Sequence, residues 1–226
     1  MIKLVYPDIC SSCHRNEIKS ADSFCDDCFN LLPFIDLPAC ELCSDELVTG
    51  FSVCRACMSI SRDWQKASSV FKFSGLAREL IHRFKYQNDL ALIKPLGKIC
   101  FERWQEMHPD ETLDYLVPVP LHWLRFIKRG YNQAELLADE ISRHSNIPVL
   151  KILKRGQWTS PQSYLSRNKR QKNLQKAFMT KDLDVKGKNI LLIDDIMTTG
   201  ATLNMCTKKL LKIKVANVHI LTIAHR

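Results

Sequence analysis

Asn189-Ile190-Leu191-Leu192-Ile193-Asp194-Asp195-Ile196-Met197-Thr198-Thr199-Gly200-Ala201-Thr202 decides how the rest of this 226-residue chain is read. Four consecutive branched apolar residues between polar ones suit a strand buried on both faces, as in a parallel sheet. Two acids follow at the strand's carboxyl end, where open α/β sheets bind their ligands. Thr198 to Thr202 is a turn of small residues leading into a helix, predicted over Thr202 to Lys212. The first N–H groups of such a helix and its positive end suit a phosphate. Gly200 permits close backbone approach there, and the threonine hydroxyls add donors.

On either side of this stretch, residues 66 to 226 alternate strands with helices. Ser69 to Phe73, Leu116 to Pro120 and Val218 to Ile223 read as strands. Leu76, Leu80, Ile81 and Phe84 form a helical stripe, Leu92 to Met107 is a second helix, and Gln133 to His144 a third with Leu136, Leu137 and Ile141 inward. The predicted fold is α/β, a parallel sheet flanked by helices. Trp104, Cys100 and Cys206 fall within helices as core residues, and His219 and His225 lie on or after the last strand without a spaced metal partner.

Residues 1 to 65 follow a different pattern. Cys10-x-x-Cys13, Cys25-x-x-Cys28, Cys40-x-x-Cys43 and Cys54-x-x-Cys57 are separated by short stretches with no sustained apolar stripe. A Cys-x-x-Cys turn brings two thiolates to one tetrahedral ion, and two turns complete a closed site, so eight cysteines make two structural zinc sites. Closed sites leave no coordination position for substrate, which assigns these zincs to folding rather than catalysis. The pairing is either sequential (10, 13, 25, 28, then 40, 43, 54, 57) or interleaved (10, 13, 40, 43, with 25, 28, 54, 57), and spacing leaves both open.

Charge divides the chain in the same place. Ten acidic and five basic residues over 1 to 65 give −5, and 28 basic against 14 acidic over 66 to 226 give +14. The second part is thus suited to an anionic ligand: phosphate, pyrophosphate or nucleic acid. Lys151 to Lys176 carries eight Lys or Arg and no acid. A loop of that length in a compact domain reads as a mobile lid containing Ser166, Arg167 and Arg170, as a single-strand nucleic-acid groove with Trp158 and Tyr164 as stacking platforms, or as a solvated linker. No signal-peptide or membrane-spanning run is present in the sequence, and the expected location is the cytoplasm.

The Asn189–Thr202 string resembles the phosphoribosyl-pyrophosphate (PRPP) signature of type I phosphoribosyltransferases. That resemblance implies that Asp194 and Asp195 accept hydrogen bonds from ribose hydroxyls, and that Thr198, Thr199, Gly200, Ala201 and Thr202 hold the 5′-phosphate. Purine-salvage relatives have an acid where this chain has Thr198, which argues against proton donation to a purine from that position. Together with the cysteine turns, Phe84-Lys85-Tyr86, Val117-Pro118-Val119-Pro120 and Arg129-Gly130-Tyr131-Asn132-Gln133, nearly the whole chain resembles the ComF family, which joins a zinc module to a phosphoribosyltransferase-like domain. The resemblance implies Mg-PRPP as ligand, with Lys85 at the pyrophosphate and Arg129 as a phosphate grip. It also implies a link to DNA uptake in natural transformation, through phosphoribosyl transfer or through binding of PRPP, a nucleotide or single-stranded DNA without turnover. Tyr131 and Asn132 are expected to cap the next helix.

Overall fold

A computed structural model describes residues 9–15, 18, 23–48, 50–121, 123–155, 178–180 and 184–226. Four parallel strands form the sheet in the order β1 (Ala67–Lys72), β6 (Asn217–His225), β5 (Asn189–Met197), β2 (Tyr115–Pro118). Beyond β2, Val149 continues the sheet through a parallel bridge to Leu116.

Side chains of the two central strands alternate between the faces, as a strand requires. Leu191, Ile193, Leu221 and Ile223 enter one core with helices α3 (Gly75–Tyr86), α4 (Ile93–Met107) and α6 (Gln133–Ser145). Ile190, Leu192, Val218 and Ile220 enter the other with α7 (Ala201–Lys212). Helices therefore cover both faces, as expected from the continuous apolar run, and Trp104, Cys100 and Cys206 are buried. Strand β5 runs three residues past Asp194, to Met197, because its pairing with β6 continues to Met197↔His225. The two acids thus lie within the strand's last turn of pleat rather than after it.

The basic segment after Pro120 contains a helix that the sequence reading passed over, α5 (Trp123–Arg129). Trp123, Leu124, Phe126 and Ile127 are exposed on it, so its apolar residues make no inward stripe to betray a helix. Short strands β3 (Leu153–Arg155) and β4 (Phe178–Thr180) pair antiparallel and bracket the long basic segment. Ser166, Arg167, Arg170, Trp158 and Tyr164, the expected lid and stacking residues, lie outside the described residues.

The cysteine-rich segment wraps the β1 edge of the sheet. Phe34 bridges antiparallel to Phe71, the Ile35 amide donates to the Val70 carbonyl (3.0 Å), and the Lys72 amide donates to the Pro33 carbonyl (2.8 Å). Farther along, the Ala67 amide donates to the Glu41 carbonyl (2.6 Å) and the Ser69 amide to Ser44 Oγ (2.7 Å). Cys10, Phe24, Cys25 and Cys28 join the α3/α4/α6 core, while Cys40, Cys43, Cys54, Cys57 and Trp64 join the α7 core. The module shares the domain's two cores, as a segment without an apolar stripe of its own must.

Candidate functional site

The eight cysteines fall into two clusters, Cys10–Cys13–Cys25–Cys28 and Cys40–Cys43–Cys54–Cys57, with the sulfurs of each within 4.8 Å of one another. Pairing is sequential. Cys13 Sγ is 4.0 Å from Cys25 Sγ and Cys43 Sγ 3.6 Å from Cys54 Sγ. Zn–S bonds of about 2.3 Å in a tetrahedron set sulfurs about 3.8 Å apart, so the clusters fit zinc without rearrangement.

The clusters repeat each other in detail. Cys25 N–H donates to Cys10 Sγ (3.3 Å) and Cys54 N–H to Cys40 Sγ (3.2 Å). His14 and Ser44, each one residue past its turn, both take positive φ (57° and 66°) and donate their amides back to the Cys10 and Cys40 carbonyls. Cys25 and Cys54 each precede a five-residue helix, α1 (Asp26–Asn30) and α2 (Arg55–Ser59). Burial pushes the Cys28 thiol up to about 12 and Cys43 higher still. Without a metal these groups stay protonated, and zinc binding must displace their protons.

At the carboxyl edge of the sheet a cleft of about 470 Å³ is lined by Lys85, Tyr86, Arg129, Asn132, Arg155, Asp194, Asp195, Thr198 and Thr202, among others. The end of β5, the ends of α3 and α5, the starts of α6 and α7, and the β3 strand converge here. Six of the nine residues expected at a PRPP site line this cleft: Asp194, Asp195, Thr198, Thr202, Lys85 and Arg129. Thr199, Gly200 and Ala201 form the turn between its threonines, with Gly200 as the N-cap of α7.

Lys85 Nζ lies 2.8 Å from Asp195 Oδ1, both side chains largely buried. The expected pyrophosphate cation and one expected sugar-binding acid are therefore ion-paired to each other. Burial first, and the Asp195 charge second, push Asp194 up to about 7, with Lys85 and Arg155 pulling against them. Arg129 stacks over the Tyr86 ring (4.8 Å to its centre), donates to the Tyr86 hydroxyl (3.2 Å) and donates to Gln133 Oε1 (3.2 Å). Tyr131 donates its hydroxyl to the Phe84 carbonyl, tying the turn to the end of α3. Asn132 caps α6 through the Ala134 amide (3.2 Å) and donates to the Val119 carbonyl (3.0 Å). It thus caps as expected and lines the cleft as well.

Arg155 entered the sequence reading only as one charge in a basic run. It was missed as a cleft residue because its place depends on the β3–β4 pairing, which three residues per strand do not announce. Arg62 likewise entered only as one charge of residues 1 to 65. Its Nη1 donates to the Thr199 carbonyl (2.6 Å), a contact spanning 137 residues of sequence. Away from the cleft, His219 is buried against Trp104 and lies 3.4 Å from Glu111, and His225 lies 3.3 Å from Asp45.

A double zinc ribbon domain model matches residues 1–58 and a phosphoribosyl transferase domain model matches residues 128–226. Competence protein F of Haemophilus influenzae is 31% identical over 93% of this chain and 94% of its own length. This chain belongs to the ComF family. Competence protein ComFC of Bacillus subtilis is 32% identical over 91% of this chain and 85% of its own, and DNA utilization protein YhgH of Escherichia coli K12 is 27% identical over 82% and 83%. ComF membership accounts for both halves at once: two zinc sites of four cysteines each and a phosphoribosyltransferase-like domain in one chain. Among the described residues, no helix of this ComF-family chain is long and apolar enough to cross a membrane.

Proposed function

We propose that this chain binds Mg-PRPP in the Asp194–Thr202 cleft and transfers its phosphoribosyl group to an acceptor, with loss of pyrophosphate, in a process serving DNA uptake. One observation carries the reading: two strand-end carboxylates, the opening turn of α7 and the cations Lys85, Arg129 and Arg155 surround a single cleft. That is the division of labour a phosphorylated sugar with a diphosphate leaving group requires. The turn takes the 5′-phosphate on free amides and the positive helix end. Asp194 and Asp195 accept hydrogen bonds from the ribose hydroxyls and favour positive charge at the sugar.

In the free chain the Lys85–Asp195 pair neutralises two of these groups. An incoming diphosphate competes for Lys85, and a ribose hydroxyl then takes its place on Asp195. The acceptor's lone pair bonds to the anomeric carbon as the C–O bond breaks and its electron pair leaves on pyrophosphate. Magnesium carried by the substrate's diphosphate would neutralise part of its charge and ease its departure, while Lys85 supplies a cation from this chain.

Calorimetry tests the proposal. Binding of PRPP that depends on magnesium, and that falls at least tenfold in Asp194→Asn/Asp195→Asn, is expected. Binding that is absent, or equal in the doubly substituted chain, defeats it. Release of pyrophosphate on adding candidate acceptors then separates transfer from binding alone.

A second reading, single-stranded DNA binding without turnover, is favoured by the +14 balance of residues 66 to 226 and by the exposed Trp123 and Phe126 of α5 near the cleft. The relatives named for competence and DNA utilization support it equally. Its mark is affinity that falls steeply with salt and that drops on charge reversal at Arg167, Lys169 and Arg170. Insensitivity to that reversal removes the basic segment from the reading.

A further inference from the structure

The Asp194–Thr202 loop is held from behind by the stretch joining the second ribbon to β1. Arg62 donates Nη1 to the Thr199 carbonyl at 2.6 Å and lies over the Trp64 ring, 5.0 Å from its centre. Trp64 is buried and donates Nε1 to the Leu42 carbonyl (3.0 Å), inside the Cys40-x-x-Cys43 turn. The Asp63 amide donates to Asn204 Oδ1 (2.9 Å), one turn into α7.

Gly200 confirms how tight this bracing is. Its φ is +73°, and a Cβ built there meets Arg62 Nη1 at 2.5 Å and Trp64 Cη2 at 2.8 Å. The space that a side chain would occupy is already filled by the linker.

We infer that Arg62 is a positioning residue for the phosphate loop, and that through it the second ribbon sets how well the loop holds a 5′-phosphate. The inference rests on the ribose-5-phosphate reading of the cleft. In a trans peptide unit the carbonyl and the following N–H point in opposite directions. Arg62 takes the Thr199 carbonyl on the linker side, so the same peptide unit aims the Gly200 N–H away from the linker, as a phosphate cradle at the mouth of α7 requires. A guanidinium on the carbonyl also polarises that amide, and its positive charge lies one peptide unit behind the expected anion. Leu42 in the second zinc turn, Trp64, Arg62, Thr199 and the loop thus form one continuous line of contacts.

The two halves of PRPP separate this role from a general loss of structure. Ribose 5-phosphate and Mg-pyrophosphate are titrated separately, by calorimetry, into the full-length zinc-loaded protein and into Arg62→Ala, with zinc per chain measured by colorimetric release. Ribose 5-phosphate is expected to bind about tenfold more weakly to the variant, the cost of one lost charge-assisted hydrogen bond. Pyrophosphate affinity and two zincs per chain are expected to be unchanged. An equal fall for both ligands, or an unchanged ribose 5-phosphate affinity, overturns the inference. If Arg62→Ala does not fold or sheds zinc, Arg62→Lys decides. It keeps the cation but has one donor head where the guanidinium has a fork, and a loss of about threefold confined to ribose 5-phosphate is expected. Undiminished binding by Arg62→Lys overturns the inference. A wild-type protein that binds neither ligand instead removes the reading of the cleft itself, and the inference with it.

Discussion

The two ribbons are attached to the domain by the same device at different places. In the first, Arg83 of α3 donates to the Ser11 and Ser12 carbonyls (3.0 and 2.7 Å), inside the Cys10-x-x-Cys13 turn. In the second, Trp64 donates to the Leu42 carbonyl inside the Cys40-x-x-Cys43 turn. Each leading turn thus gives its inner carbonyls to one buried or nearly buried side chain from outside the ribbon. The partners lead to opposite ends of the cleft. Arg83 stands two residues before Lys85, at the cleft end expected to take pyrophosphate, whereas Trp64 stands two residues after Arg62, at the phosphate loop. Two copies of one zinc unit have been fitted to two mechanical tasks by what surrounds them, since the cysteine geometry itself is nearly identical.

Cysteine substitutions give the largest expected effect. Cys13→Ser/Cys25→Ser draws both changes from one cluster and should lose one zinc of two, whereas Cys25→Ser/Cys43→Ser should lose both. The expected Tm falls exceed about 10 °C, because a structural zinc contributes folding energy directly. Two zincs lost in the first variant would restore the interleaved pairing.

Arg83→Ala comes next. It leaves the Ser11 and Ser12 carbonyls and Asp89, 2.6 Å from Arg83, without their donor. The expected cost is about 2–3 kcal/mol, a Tm fall of about 8 °C, with ribose 5-phosphate affinity held within about twofold. A large loss of ribose 5-phosphate binding here would erase the functional difference between the ribbons.

Gly200→Ala should be milder for stability and harsher for binding. Its Cβ meets the linker, and a positive φ strains any side chain, for about 2 kcal/mol together. Thermal melts should fall by about 5 °C and ribose 5-phosphate affinity by at least tenfold, the reverse of the Arg83→Ala pattern.

The smallest effect is a gain. With Asp194 pushed up to about 7, the folded chain retains a proton that the unfolded chain gives up near pH 4. That contribution to stability is fully present below about pH 4 and is lost progressively as pH rises through 7. Asp194→Asn should therefore melt about 3 °C higher than wild type at pH 8 but only about 1 °C higher at pH 5, while losing PRPP affinity. An equal gain at both pH values would place its origin outside the carboxyl's ionisation.

Much of this was legible in the residues. The β5–turn–α7 string and the four cysteine turns each bring their chemistry together within a few positions, so local spacing carried them. Asn132 was legible for the same reason, since capping is a contact between near neighbours. The ribbon pairing was not, because both arrangements satisfy the same spacings and only the chain's path decides between them. Arg62 and Arg155 reach the cleft region through contacts made by tertiary folding, and nothing beside them in sequence marks them. Helix α5 escaped because apolar residues facing solvent obey no inward periodicity.

The path of the ribbon segment along β1 ties metal supply to solubility. The six residues of β1 would offer an open row of backbone donors and acceptors if residues 33 to 44 lost their shape. A chain made without zinc therefore exposes a template for strand addition by its neighbours, and its expected failure is aggregation rather than a soluble protein with impaired binding.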